Sequence, residues 1–374
     1  MKSFKAGQRI NQGYYKSFQP NYINRQWTVD NMEVIQLLSQ ADRELGRLDT
    51  YSKYIPNIDI FISMHVLKEA TQSSKIEGTQ IKMDEVLLDR EDIPLDKRDD
   101  WEEVQNYTKA MEWAVKELEG LPFSSRLIRE THRVLLQGVR GQQKQPGEFR
   151  ASQNWIGGAT LNDASFVPPV HTTVQDLMSD IEKFTHNEGI CFPELLKIGL
   201  IHYQFETIHP FLDGNGRVGR LMIPLYLVSK GILQKPILYL SDFLEKNRKL
   251  YYDNLTVVRD KNDITQWFKF FLVGIIETAK SGINTFDNVL QLQKQTEIQI
   301  QGLGSRAANA QKVCNYLYQH PIINTEKVAK VTYTSMPSAY KLIADLERME
   351  ILHEITGGQR GRMYRFDSYL DLFR

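Results

Sequence analysis

Apolar residues in this chain recur every three or four positions over long stretches, which is the spacing of one face of an α-helix. The clearest stripe, in residues 99–119, consists of Val104, Tyr107, Met111, Ala114 and Leu118. Similar spacing predicts helices over residues 30–48, 59–77, 125–137, 193–207, 217–230, 242–258 and 264–300, and a further stripe begins at Val174. Asp30 and Glu33 have capping-box spacing at the start of the first helix. The chain is therefore expected to be all-α.

Three segments lack this helical spacing. The first 25 residues are polar, aromatic and aperiodic, and we expect an extended arm. Residues 141–171 combine Gly, Pro and Asn with short β-prone runs, which predicts a small β-hairpin. After a linker at 302–305, residues 306–374 have the pattern of two helices, a turn, a third helix over 337–349 and two short strands. That order is typical of a winged-helix domain.

These changes of pattern divide the 374 residues into three predicted domains. Residues 1–120 form an N-terminal helical region, residues 121–300 a helical core, and residues 306–374 a winged-helix-like domain. More than one domain is expected because a chain of this length exceeds what one compact core usually serves.

Charge and cysteine content exclude several classes of function. The chain has 46 Lys plus Arg and 46 Asp plus Glu, so no overall field attracts it to nucleic acid or to an anionic membrane. Its two cysteines, Cys191 and Cys314, do not form a disulfide framework or a metal knuckle. The most apolar stretches, residues 221–233 and 267–276, are too short or too interrupted to span a bilayer. We expect a cytoplasmic protein without membrane contact.

The sequence HPFLDGNGRVGR, residues 209–220, places groups suited to nucleotide chemistry within twelve positions. Gly214, Asn215 and Gly216 can turn successive backbone N–H groups toward one anion. The helix that follows adds its positive N-terminal end. Arg217 and Arg220 are three positions apart on that helix and can clamp phosphate oxygens. Each piece alone has a structural explanation, but their joint occurrence predicts a phosphate site.

Two further residues of this segment supply the chemistry of transfer. Asp213 lies on the lip of the predicted phosphate site, where a carboxylate is favourable mainly if a cation such as Mg²⁺ lies between it and the phosphates. His209 opens the loop, and the pKa of a histidine suits a general base for an incoming hydroxyl.

These twelve residues resemble the signature of the Fic family of protein adenylyltransferases. All defining positions match, namely His209, Phe211, Asp213, Gly214, Asn215, Gly216, Arg217 and Arg220. The resemblance covers about residues 60–300 and implies a Fic helical core. It also implies that AMP passes from ATP to a Ser, Thr or Tyr hydroxyl of a target protein, or of the enzyme itself. Pyrophosphate would leave and His209 would take the hydroxyl proton.

The resemblance extends to two regions outside the motif. The predicted hairpin corresponds to the family's flap, which holds the target by strand-like pairing, and implicates Trp155, Ile156, Gly157 and Gly158. Tyr251, with Tyr252 beside it, falls where the family contacts adenine. Simple core packing is the alternative for both tyrosines.

The fragment SSKIEG, residues 73–78, resembles the inhibitory motif of the same family through Ser73, Glu77 and Gly78. A glutamate in the last turn of a helix is slightly unfavourable unless a cation compensates it. The resemblance implies that Glu77 pairs with Arg220 and occupies the γ-phosphate site. The chain would then be an autoinhibited enzyme with its inhibitory helix before the core.

Other functions stay open at this point. The enzyme could use another phosphate-containing donor, or make another transfer as the phosphorylating Doc branch does, although that branch departs from the Gly-Asn-Gly-Arg signature present here. It could also remove AMP when Glu77 orients a water. The protein could instead be a DNA-binding regulator with a Fic sensor core, because Arg360, Arg362 and Arg365 cluster in the predicted wing. Basic residues are only in slight excess there, which favours protein docking or dimerisation. A homodimer is one option for the oligomeric state.

Overall fold

The computed structural model describes residues 4–54, 58–138, 142–358 and 361–374. The fold is mostly helical, as predicted. The helices of the first half are α1 Met32–Tyr54, α2 Ile58–Glu77, α3 Met83–Val86, α4 Arg98–Glu117, α5 Ser125–Leu135, α6 Val174–His186 and α7 Glu194–Ile208. Those of the second half are α8 Asn215–Ser229, α9 Ser241–Lys246, α10 Arg248–Lys261, α11 Ile264–Gln301, α12 Ala307–Leu317, α13 Thr325–Thr332, α14 Met336–Arg348 and α15 Asp367–Leu370.

Several helix boundaries differ from the predicted ones. Helix α1 is capped by Asn31, whose Oδ1 accepts the N–H of Val34 at 3.0 Å, so the capping box at Asp30 was wrong. The helix predicted over 242–258 is two helices, because Asn247 takes a non-helical φ of −110° and ψ of 29° between α9 and α10. Tertiary contacts set such boundaries, and periodicity alone does not locate them.

The core is built around α7, which is buried along nearly its whole length. The 38-residue α11 packs against α7 and α1, and Trp267 of α11 donates its Nε1–H to the carbonyl of Gly199 at 2.8 Å. A helix such as α7, with apolar residues on every side, is typical of one surrounded by other helices. None of the described helices combines the length and apolar character needed to cross a membrane.

The N-terminal residues form a β-hairpin, so the prediction of an extended arm was wrong. Strands β1 Gly7–Asn11 and β2 Lys16–Pro20 pair antiparallel. Phe18 is buried, and its N–H donates to the carbonyl of Val167 at 2.9 Å. Ile23 is buried as well, and its N–H donates to Asp180 Oδ2 at 2.6 Å. A short hairpin is marginal by itself, and packing on the core supplies its stability.

The hairpin predicted within 141–171 is reduced to one antiparallel bridge. Ile156 and Phe166 exchange both backbone hydrogen bonds, at 2.8 and 3.1 Å. Asp163 closes the turn between them by accepting the N–H groups of Ala159 and Thr160. The segment is a compact loop with a minimal ladder.

Residues 306–374 contain the predicted elements in the predicted order, together with a strand between the first two helices and a short C-terminal helix that were not predicted. Strands β3 Ile322–Asn324, β4 His353–Glu354 and β5 Met363–Arg365 form a sheet of order β3-β5-β4. The winged-helix assignment and the domain boundaries stay predictions.

One arginine of the cluster predicted for the wing is paired with carboxylates, while Arg362 is exposed and donates its Nε–H to the carbonyl of Gly358 at 2.8 Å. Arg365 pairs with Asp367 and, at 3.1 Å, with Asp84 of α3. Arg360 lies outside the described residues. The C-terminal segment therefore contacts the N-terminal region.

Candidate active site

The residues predicted to carry the chemistry meet where α7 ends and α8 begins. His209 caps α7 in the left-handed region, with a φ of 49° and a ψ of 62°. Pro210 follows it, and a proline disfavours the right-handed helical conformation of the residue before it. The helix therefore ends at His209, whose side chain lines a cavity of about 520 Å³.

Hydrogen bonds from buried side chains hold the loop after His209. The Nε of Arg150 donates to the carbonyl of His209 at 2.9 Å, and the Nδ2 of Asn154 donates to that of Phe211 at 2.9 Å. The side chain of Asn215 pairs with both backbone groups of Phe211, at 2.8 and 2.9 Å. A left-handed conformation outside glycine costs ~1–2 kcal/mol, and these bonds stabilise it. The Asn215 side chain is committed to the loop, so only its backbone N–H can meet an anion.

His132 of α5 supports the same loop. Its ring stacks on Phe211 with centroids 3.7 Å apart. Its Nδ1 accepts the N–H of Gly147 at 2.8 Å, and its Nε2–H donates to the carbonyl of Asp213 at 3.0 Å. Burial lowers the pKa of His132 to about 4. This histidine is neutral and satisfied on both ring nitrogens.

The predicted anion-binding end of α8 is occupied by a side chain of the protein itself. Gly214 caps the helix with a φ of 74°, which glycine adopts without strain. The first N–H groups of a helix have no acceptor within it, and they favour an anion. A Cβ built at Gly216 would lie 2.1 Å from Glu77 Oε1. The Glu77 carboxylate therefore lies against this helix end, and only glycine fits at position 216.

Arg220 anchors Glu77. Its guanidinium is 1% exposed, and its Nη2 lies 2.6 Å from Glu77 Oε1. Its Nε and Nη2 also donate to the hydroxyl and carbonyl of Ser73, at 2.8 and 2.9 Å. Burial raises the pKa of Glu77, but the charge and hydrogen bond of Arg220 outweigh it, and the pKa lies below its ordinary value. The structure thus brings Ser73 and Glu77 of the predicted inhibitory motif together with Arg220.

Arg217 is engaged by carboxylates as well. Its Nη1 lies 3.0 Å from Glu103 of α4, and its Nη2 lies 3.4 Å from Asp213. The motif's two arginines therefore have different partners in this conformation, Glu103 and Asp213 for one and Ser73 and Glu77 for the other. A phosphate at this site would have to compete with these contacts.

A magnesium site made by protein ligands alone is not present in the described part of the chain, which contains no cluster of three or more His, Cys, Asp or Glu suited to a metal. The Asp213 side chain is 46% exposed beside the end of α8. One exposed carboxylate fits the way proteins hold Mg²⁺ with substrate phosphates, where few ligands come from the protein.

Two titratable groups face each other at the end of α7. Burial is the main cause that lowers the pKa of His209 to about 4, so its imidazole is neutral at neutral pH. Glu206, one turn earlier, is buried, and its Oε2 lies 4.0 Å from His209 Nδ1. Burial, with a smaller contribution from Glu77, raises the pKa of Glu206 to about 7 against the opposing charges of Arg220 and Arg259.

The two tyrosines and the predicted flap, except Gly158, lie at the wall of the cavity. Trp155 is exposed, Ile156 makes the bridge, and Gly157 and Gly158 follow with φ of 68° and 72°. Tyr251 is fully buried, and its hydroxyl is 2.9 Å from His202 Nε2. Core packing therefore accounts for most of Tyr251. Tyr252 is more exposed and also lines the cavity.

Several residues of the site were not predicted, among them His132, Glu206 and Glu103. His132 lies on the apolar face of its helix, where the spacing marks it as buried. Glu206 is the only carboxylate of α7 after its first residue, Glu194, and its position among buried residues is a usable signal. No local pattern distinguishes Glu103 from other surface glutamates.

Comparison with known protein families identifies two regions of this chain. Residues 35–116 match the Fic/DOC family N-terminal region, and residues 122–227 match the Fic/DOC family. The second region contains the whole of the motif and the flap segment.

Individual relatives agree with these matches. The chain is 32% identical over 148 residues to the protein adenylyltransferase Fic of Aedes aegypti, which covers 38% of this chain and 26% of that protein. It is 26% identical over 265 residues to the protein of the same name in Drosophila mojavensis, which covers 66% and 47%. The chain thus spans from about a quarter to about half of the length of these relatives.

A solved structure shows the same fold. The crystal structure of a Fic family protein from Desulfovibrio desulfuricans superposes with a TM-score of 0.60 at 18% identity, covering 91% of this chain and 98% of the other.

Proposed function

Because this chain belongs to the Fic/DOC family, we propose that it is a protein adenylyltransferase that moves AMP from ATP to a hydroxyl side chain of a target protein. The observation that carries the proposal is the geometry of the motif. A neutral, partly accessible His209 lies beside a helix end built for an anion, and Arg217 and Arg220 flank that end. A general base and a phosphate-binding site therefore lie in one cavity.

The transfer follows from the groups in the cavity. His209 takes the proton of a Ser, Thr or Tyr hydroxyl as its oxygen forms a bond to the α-phosphorus of ATP. The bond from that phosphorus to the bridging oxygen breaks, and pyrophosphate leaves. The N–H groups at Gly214–Gly216 and the two motif arginines stabilise the negative charge that builds up on the phosphates. The target segment docks along the flap at Trp155 and Ile156.

Mg²⁺ is the proposed metal. Asp213 would hold it together with phosphate oxygens of ATP, and the ion would neutralise charge on the leaving pyrophosphate. For the base of the nucleotide, Tyr252 offers an exposed ring in the cavity and Tyr251 a buried one.

We also propose that the enzyme is autoinhibited. Glu77 lies against the N–H groups of α8 and bonds the Arg220 guanidinium, so it competes with the γ-phosphate for both. ATP could bind only with that phosphate displaced, in a geometry that does not favour transfer. Helix α2 is held in place by Glu69, whose carboxylate accepts from Ser241 at 2.5 Å and Tyr107 at 3.0 Å. The inhibitor is therefore a fixed part of the fold.

The decisive experiment compares wild type, Glu77→Gly and Arg220→Ala for label transfer from labelled ATP, including self-modification. Glu77→Gly is expected to raise the rate by ~10- to 10³-fold, because it frees the phosphate site. Arg220→Ala and the double variant should not gain activity, since the γ-phosphate loses its ligand as well.

Glu117→Gly is the matched control, because Glu117 also ends a helix and lies outside the cavity. A folded Glu77→Gly protein with an unchanged or lower rate would contradict autoinhibition. Absence of AMP transfer by every variant, tested against a lysate with mass spectrometry, would contradict the adenylyltransferase itself.

The remaining assignments stay our predictions. Target proteins with an accessible hydroxyl, the cytoplasm, a homodimer and AMP removal belong to this group. DNA binding by residues 306–374 is weakened by the pairing of Arg365 with Asp84 and Asp367. A salt-dependent gel shift with the full chain would test it, because phosphate contacts make affinity fall with salt.

A further inference from the structure

Glu206 is a buried carboxylate that the transfer described above does not use. It lies one turn before His209 on α7, and its Oε2 is 4.0 Å from His209 Nδ1. Its Oε1 is buried without a hydrogen-bond partner among the described residues. Buried polar atoms without partners are uncommon and call for an explanation.

The nitrogen that faces Glu206 is also without a partner. His209 Nδ1 is buried and makes no hydrogen bond of good geometry within the described residues. The His209 side chain is nevertheless 20% exposed, through its other atoms. Two acceptors face Nδ1, the carboxylate of Glu206 and the backbone carbonyl of the same residue. Catalytic hydrogen bonds are often long before substrate binds, so 4.0 Å is a contact that can close.

The neighbouring helix leaves room for this carboxylate. A Cβ built at Gly219 would lie 2.2 Å from Glu206 Oε1 and 3.2 Å from the Phe205 ring. A side chain at position 219 would therefore push Glu206 out of its place. The absence of a side chain at position 219 is what lets the carboxylate lie between α7 and α8, beside the catalytic histidine.

We propose that Glu206 is a positioning residue for His209. Its carboxylate accepts the Nδ1–H of His209, which leaves Nε2 free to take the proton of the incoming hydroxyl. The same carboxylate then stabilises the imidazolium that forms when Nε2 has taken that proton. This inference rests on the proposed transfer reaction. It adds to Asp213 a second carboxylate, that of Glu206, which acts on the base.

The charges around the pair connect this role to inhibition. Glu206 is faced by Arg220 of α8, Arg259 of α10 and Glu77 of α2, and His209 by Glu77, Arg259 and Arg150. The buried Tyr251 and the more exposed Tyr252 complete the wall. Glu77 is the like charge that helps to keep Glu206 protonated. Its removal lets Glu206 ionise at lower pH and so provides the charged acceptor for His209.

The experiment uses the full chain carrying Glu77→Gly and adds Glu206→Gln or Glu206→Asp. In the parent, kcat should fall on the acid side as Glu206 becomes protonated. Glu206→Gln should lower kcat by about 10-fold or more with the KM for ATP nearly unchanged, and it should remove that acid-side fall. Glu206→Asp keeps the charge, so it should give an intermediate kcat and retain the fall.

A second readout does not depend on activity. The ¹⁵N shifts of the His209 ring, followed by NMR across the pH range and assigned with His209→Ala, should change as Glu206 ionises in the parent and should lose that step in Glu206→Gln, because no carboxylate then accepts the Nδ1–H. Glu194→Gln, on the same helix but away from the cavity, is the matched control and should change neither measurement. Thermal melting checks that each variant folds.

The outcomes separate this inference from the proposed function. An unchanged kcat, an unchanged acid-side fall and unchanged ¹⁵N shifts of the His209 ring in Glu206→Gln would overturn the role of Glu206 and would mean that the backbone carbonyl alone orients the ring. If the Glu77→Gly parent transfers no AMP, the proposed function fails, and the NMR titration still decides whether Glu206 and His209 are coupled.

Discussion

Two histidines frame the motif loop, and they differ in how their ring nitrogens are used. His132 and His209 are both buried enough that their pKa is lowered to about 4. Both nitrogens of His132 are hydrogen-bonded and its ring stacks on Phe211. Nδ1 of His209 has no partner of good geometry within the described residues, and the side chain opens onto the cavity.

The difference teaches that a lowered pKa does not by itself identify a catalytic histidine. Burial lowers it in both cases, yet only one ring can change its protonation state without breaking an existing hydrogen bond. The satisfied ring stabilises the loop, and the unsatisfied ring is available for chemistry. Replacing His209 should therefore lower the transfer rate, whereas replacing His132 should lower the stability of the fold.

The largest effect is expected for His209→Ala. AMP transfer in the Glu77→Gly background should fall by ~10² or more, because the proton acceptor is lost while the phosphate groups stay in place. ATP binding and the melting temperature should change little. Normal turnover by a folded His209→Ala protein would remove the distinction between the two histidines.

The next largest effect is expected for Asp213, which supports the loop through its backbone and is proposed to act in transfer through its side chain. Its backbone carbonyl accepts from His132, while its side chain is the proposed magnesium ligand. Asp213→Ala should lower transfer by at least ~10-fold and abolish the response to Mg²⁺, because the carboxylate is gone. Its melting temperature should stay close to that of the parent, since the backbone bond remains. Full activity in excess chelator would rule out a metal-dependent site.

His132→Ala should affect stability first. The N–H of Gly147 and the carbonyl of Asp213 lose their partner in a buried place, which costs roughly 1–3 kcal/mol. Denaturant unfolding followed by fluorescence would measure the loss, with His171→Ala as an exposed control. A melting point equal to that of the parent would mean that water replaces the ring without cost.

The smallest effect is the pH dependence of stability. A histidine with an ordinary pKa of 6.5 in the unfolded chain and about 4 in the folded one binds its proton more readily when unfolded. It therefore stabilises the fold above about pH 6.5, and this contribution is lost as pH falls toward about 4. Removing His132 should make the loss between these values shallower, by at most about 1.4 kcal/mol per pH unit. An unchanged slope would show that His132 is not neutral in the fold.

The sequence predicted more of the helices than of the connections between them. Stripes of apolar residues identified α4 and α11 because burial of one face repeats with the helix period, whereas α7 is buried on all sides. The same reasoning failed for the N-terminal residues, since Phe18 of β2 and the following Ile23 are held by hydrogen bonds to Val167 and Asp180, far away in the chain. Periodicity also predicted one continuous helix through Asn247, where only the tertiary structure separates α9 from α10.

For the site, local chemistry and spacing determined the motif from His209 to Arg220, because every group in it lies within one loop and one helical turn. The pairing of Glu77 with Arg220 was implied by resemblance, and the structure supplies its distance of 2.6 Å. The support from His132, the pairing of Arg217 with Glu103 and the approach of Glu206 to Gly219 were decided only by tertiary structure. These contacts depend on how separate helices pack, and packing distances are not encoded in the spacing of any one segment.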